Sequence, residues 1–186
     1  MTLDATNVRI ARTGAVYVAP LGTTLPTTTA GSLDSAFVDC GYVSTDGVTF
    51  TPSETVNGVF AWQNSARVAT TREELTYTFQ FVLIEDKGAV AKLWYRSSSV
   101  DVVQASEWSL TPDTQTEGRR AFVVDVVDGS KLKRFLVPQG EITERGDQVF
   151  VGSEPIGYDA TVTCYYDSTL GAPFKVLSNL AVWGYS

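Results

Sequence analysis

Between Ala66 and Glu85, twenty residues run without a Gly, Pro or Asn to turn the chain. Leu75, Tyr77, Phe79, Phe81 and Leu83 alternate there with Thr76, Thr78, Gln80, Val82 and Ile84. That period of two defines a strand with one apolar and one largely polar face. Val68 falls on the opposite parity, so a bulge near residues 72–74 is needed to keep one face apolar throughout. At about 3.3 Å per residue the unbroken strand spans ~65 Å, too long for an ordinary small sandwich. A strand of that length calls for neighbours beyond its own subunit.

The rest of the chain supplies partners for it. Residues 8–18 are β-branched enough for a strand, interrupted at Gly14 and ended by Pro20. Residues 21–35 are Thr, Gly, Pro and Ala with few large apolar groups, Leu25 among them. They predict a long loop, either a surface loop or a contact arm. Residues 37–43 read as a second strand, with Asp46-Gly47 as hairpin turn chemistry and Val48 beginning the return. Residues 52–65 read as a second long loop that nevertheless carries Val56, Val59, Phe60 and Trp62. Apolar side chains in a loop either tuck back onto the body or meet another chain, which makes this the better interface candidate.

One helix is expected, over residues 86–95, with Asp86 as its cap. Val90, Leu93 and Trp94 fall at i, i+3 and i+4 and form the stripe that would pack on the sheet. Residues 100–103 read as a short strand. Residues 121–127 and 132–137 flank Asp128-Gly129-Ser130 as a hairpin. Lys131, Lys133 and Arg134 decorate it, either protecting an edge or forming a basic patch for a neighbouring copy. Residues 158–166 alternate again, and the apolar end, residues 179–186, is expected to dock. The fold class is mainly β: an antiparallel sandwich or barrel with one flanking helix, in a single domain.

Composition narrows the function. A 44% apolar, 19% charged chain has the makings of a packed core rather than disorder. There is no histidine, which removes the commonest general base, the Ser-His-Asp and Cys-His arrangements and the commonest metal ligand. Cys40 and Cys164 are too few and too far apart for a metal cluster, and buried free thiols are favoured over a disulfide. No nucleotide-binding glycine pattern opens a helix. Glu73 and Glu74, adjacent on a strand, point to opposite faces and share no site. Arg145-Gly146-Asp147 reads as a turn rather than an adhesion motif. Catalytic residues, metals and cofactors are therefore not expected. A net charge of −7 argues against binding nucleic acid through its phosphates; it fits simple solubility or a surface that DNA slides past. No apolar run approaches the ~20 residues of a membrane span, and no basic, then apolar, leader opens the chain. Folding in a cytosol is the expectation.

Four blocks carry a resemblance: residues 8–20 (VRIARTGAVYVAP), 37–49 (FVDCGYVSTDGVT), the strand and helix of 74–95, and 141–147 (EITERGD) followed by Glu154-Pro-Ile-Gly-Tyr158. The chain resembles the major tail tube proteins of long-tailed phages, especially those of actinobacterial siphophages. The resemblance implies hexameric rings whose sheets join into one inner barrel. These rings stack around a tape measure protein between tail terminator and baseplate or tip proteins. DNA passes through the lumen without specific binding, in a virion assembled in the host cytoplasm. Many relatives add a C-terminal immunoglobulin-like domain, and none is expected here. On this reading Val56, Val59, Phe60, Trp62 and Leu25 make inter-subunit contacts. Gln80, Asp125, Asp159 and Thr161 are candidate lumen residues, or else face bulk water. The competing readings are a monomeric β-sandwich binding module, with Trp62, Trp94, Trp108 and Trp183 as a sugar platform, and a decoration or neck protein.

Overall fold

The computed structural model describes residues 4–113 and 118–180. The long alternating segment is a strand, β4 (Arg67–Leu83), preceded by an antiparallel partner of similar length, β3 (Val43–Phe60). Residues 52–65 are thus not a loop. All but the last five belong to β3, because each residue from Pro52 to Phe60 has a cross-strand partner on β4. The bulge expected near residues 72–74 sits at Glu73: Thr55 faces Glu74 and Val56 faces Arg72. A second irregularity leaves Val68 unpaired between Ala69 and Arg67.

Asp46 and Gly47 do not turn a hairpin. They lie inside β3, where residues 44–47 bulge between the Val43–Leu83 and Val48–Phe81 pairs and Gly47 takes φ 71°. The preceding strand, β2, is only Val38–Asp39. It stops because Gly41, at φ 84°, turns the chain while its N–H donates to Asp39 Oδ1 at 2.7 Å.

The remaining strands are β1 (Thr13–Pro20), β5 (Asp101–Gln104), β6 (Glu107–Ser109), β7 (Arg120–Asp128), β8 (Lys131–Arg145), β9 (Tyr158–Cys164) and β10 (Lys175–Ser178). The main sheet runs β2-β1-β7-β8-β9-β4-β3, with β10 also on β8, and every pairing is antiparallel. β8 serves both halves of it. Residues 131–137 pair with β7 and β10, then the register slips at Pro138-Gln139 and residues 140–145 pair with β9. Gly140 allows this bend, since a Cβ there would come within 2.7 Å of Phe122 and 2.8 Å of Val162.

The sheet folds back on itself around that bend as a β-sandwich. Phe135 from the first half of β8 meets Phe50 of β3 and Phe79 of β4, with ring centres 5.6 and 5.3 Å apart. Val16, Phe81, Phe122, Val137 and Val162 fill the space between. Cys40 and Cys164 are buried free thiols in the same core.

The helix α1 (Gly88–Tyr95) is the only one of its kind among the described residues. Val90 and Leu93 are buried, and half-buried Trp94 donates its Nε1–H to the Asp159 carbonyl at 2.9 Å. Asp86 does not cap it. The capping position is Lys87, with no side-chain bond, and Asp86 instead accepts the Tyr158 hydroxyl at 2.8 Å. Of the end expected to dock, residues 179–186, the last six lie outside the described residues, while Asn179 is tied to Leu132 by its N–H donating to the Leu132 carbonyl at 3.2 Å and its Oδ1 accepting the Leu132 N–H at 2.9 Å.

Candidate assembly surface

At Tyr77, paired with Cys164 at the end of β9, β4 leaves the sandwich. Beyond it only β3 accompanies β4, so residues 52–60 and 67–75 form a two-stranded ribbon, an arm about 30 Å long at the usual strand rise. Both faces are bare: every residue from Pro52 to Leu75 is exposed except partly covered Gly58 and Ala61. An isolated two-stranded ribbon is marginal in water. This one leaves large apolar groups uncovered, with Val56, Val59, Phe60, Val68 and Leu75 all exposed. Trp62 stands in the turn at the tip, 93% exposed.

The turn closes with Ala61 N–H on the Ala66 carbonyl at 2.8 Å, while Asn64 and Ser65 adopt φ 66° and 51°. An Arg72–Glu54 pair at 2.7 Å crosses the ribbon, but at that exposure it contributes under about 1 kcal/mol. The ribbon therefore holds its shape by cross-strand pairing alone and has nothing of its own to bury.

The other sequence candidates scatter. Leu25 is half-buried in a groove of about 460 Å³ walled by loop residues 21–27 with Leu136, Pro138 and Leu170. The loop holding it folds back onto its own sheet. The buried Arg134 grips Asp125 through two bonds of 2.7 and 2.8 Å and gives a third, at 2.8 Å, to the Gly31 carbonyl. The hydrogen bond to Asp125 raises the Arg134 guanidinium above its usual value. Asp125, a candidate lumen residue by sequence, is 7% exposed and already paired, so in the single chain it presents no free carboxylate. Arg134 likewise guards no edge and joins no surface patch.

Gln80 is exposed and Asp159 and Thr161 half-buried, all on the polar side of β4 and β9, with Gln80 Nε2 3.4 Å from Asp159 Oδ1. By register that face also presents Thr49, Thr51, Thr78 and Thr163, a wall of hydroxyls with few charges. Arg145-Gly146-Asp147 is built into the body, Arg145 donating to the Trp94 carbonyl at 2.6 Å and Gly146 to the Asp159 carbonyl at 3.2 Å.

Two exposed apolar features escaped sequence reasoning. One is the small β5–β6 hairpin, which bares Val102, Val103 and Trp108. The other is the loop from β8 to β9, which bares Val149, Phe150 and Val151. The signal for the second was present: an apolar triplet between Gly146-Asp147 and Gly152-Ser153 is too short for a core strand. Trp62, Trp94 and Trp108 sit on the ribbon tip, the helix and β6 with no ring contact among them, and Trp183 lies outside the described residues.

The sandwich thus leaves large apolar side chains uncovered on the projecting ribbon, the β5–β6 hairpin and the β8–β9 loop. The chain belongs to the phage tail tube protein family, whose model matches residues 1–180. It is accordingly a structural component of a phage tail. No curated protein matches it.

Proposed function

We propose that this protein polymerises as hexameric rings that stack into the tail tube, the conduit for DNA delivery around a tape measure protein. The observation that carries the reading is the ribbon of residues 52–75, apolar at its tip and bare on both faces. Burying Val56, Phe60 and Trp62 on another copy is worth ~1.5–3 kcal/mol each before ordering costs. The free edge of β3 ends the sheet and invites a strand from a neighbour, and closing a ring removes such edges. The hydroxyl face around Gln80 and Thr161 suits a lumen wall that DNA must not grip, because it offers few cations to phosphates.

Negative-stain electron microscopy with sedimentation of the concentrated protein tests this. Hollow tubes or rings are expected from the natural sequence. Trp62→Ala should reduce them at least tenfold while the circular dichroism of the unassembled chain stays unchanged. Normal tubes from that variant would remove the arm from assembly.

A further inference from the structure

Resting on the tube reading, we infer that the loop between β8 and β9 is the seat for the arm of the next copy along the tube. Register places the two features at opposite ends of the body. The arm departs where Tyr77 and Gly140 both pair with Cys164. The loop departs from the other end, where Arg145 pairs with Ala160 and Leu83 with Tyr158. Copies stacked in one direction therefore bring one molecule's arm toward the next one's loop. A contact between two unlike surfaces is heterologous, and where no rotation closes it, it repeats openly into a filament.

Chemistry matches as well. The loop offers Phe150, 70% exposed, flanked by exposed Val149 and Val151, with Ile156 beyond. Apolar groups on the arm face it in kind. Over residues 52–75 the arm's charges are Glu54, Arg67, Arg72, Glu73 and Glu74, with Arg72 paired to Glu54; toward the tip, from Val56 to Thr71, Arg67 stands alone. From Gly146 to Gly157 the loop's only charges are Asp147 and Glu154. Arg67 near the tip is opposite in sign to the loop's Asp147 and Glu154, which favours the tip on the loop over tip against tip or loop against loop.

The seat is also held in shape before contact. Gly146 donates to the Asp159 carbonyl, and Gln148 accepts the Tyr95 hydroxyl at 2.9 Å. These bonds fix the stem of the loop beneath its apolar residues, which lowers the ordering that binding must supply. The groove beside Leu25 is the weaker receptor. Its wall residue Gln139 accepts from the Tyr165 N–H, next to Cys164, and so lies at the arm's own end of the body.

The test places Gln63→Cys on the arm tip and Ser153→Cys on the loop of one full-length chain, both at exposed polar positions. The native thiols are buried. After mild oxidation of concentrated protein, non-reducing gels should show a ladder of covalent multimers. An equimolar mixture of the two single variants should stop at a covalent dimer containing one of each. Tubes by microscopy with no ladder would overturn the seat and leave the tube reading standing. No ladder and no tubes would overturn both.

Discussion

The same two strands lead different lives along their length. From Tyr77 to Leu83, β4 lies between β9 and β3, and Phe79, Phe81 and Leu83 are sealed in the core. From Arg67 to Leu75 it has only β3 beside it and every residue is exposed. Apolar alternation marks the stretch from Leu75 onward, while residues 67–74 carry Val68 on the opposite parity and Arg72, Glu73 and Glu74. The difference is whether a second layer covers the apolar face. Inside the body Phe135 and Phe174 close over Phe50; along the arm nothing from the same chain does. Body residues should therefore carry stability and arm residues association.

The comparison breaks first at Phe79. Phe79→Ala in the body should cost ~3–5 kcal/mol, since it leaves a cavity among packed rings. Trp62→Ala, the matching deletion on the arm, should stay within about 0.5 kcal/mol, as surface changes do. Urea denaturation of unassembled chains reads both, and equal costs would mean that the arm is packed in solution.

Arg134→Met comes next. It leaves Asp125 buried without its cation, expected at ~3–5 kcal/mol. It also frees the Gly31 carbonyl, so amide exchange should rise in residues 28–34 and not in 52–75. Undiminished protection in that loop would show that Arg134 does not hold it.

A smaller effect comes from pH. Burial first, then the bond to Asp86, raises the Tyr158 hydroxyl from 10.0 to about 12. Burial alone drives Cys164 from 9.0 to about 12, and burial with the Asp39 carboxylate nearby does the same to Cys40. Values raised in the folded state mean that stability is whole below the unfolded values and drains as pH climbs toward 12. Thermal unfolding midpoints should hold below pH 9, then fall progressively up to pH 12. A flat profile over that span would show that these groups are solvated. Arm exposure should not change with the body's titration until unfolding.

Much of this was legible in the sequence because it depends on neighbours along the chain. Alternation at Leu75 to Leu83 gave β4, the parity slip at Val68 demanded a bulge, and Val90 with Leu93 gave the helix face. The errors arose where a partner from far along the chain decided the outcome. Residues 52–65 read as a loop, yet partners across the ribbon, Tyr77 for Pro52 and Thr70 for Gly58 among them, make residues 52–60 strand. Asp86 has the chemistry of a cap, but Tyr158, seventy-two residues away, takes its carboxylate. Asp125 looks like a surface acid until Arg134 and the overlying loop are seen.

By itself, then, the sequence settled the local matters: mainly β structure, one helix, no histidine chemistry, and apolar groups at Phe60 and Trp62 in need of cover. Those follow from side-chain period and residue type, which are fixed before the chain folds. Tertiary structure decided which half of the long hairpin is roofed, that Asp125 is neutralised inside, and that arm and β8–β9 loop lie at opposite ends. Those depend on strand order and register, which are set when distant segments compete for the same apolar face.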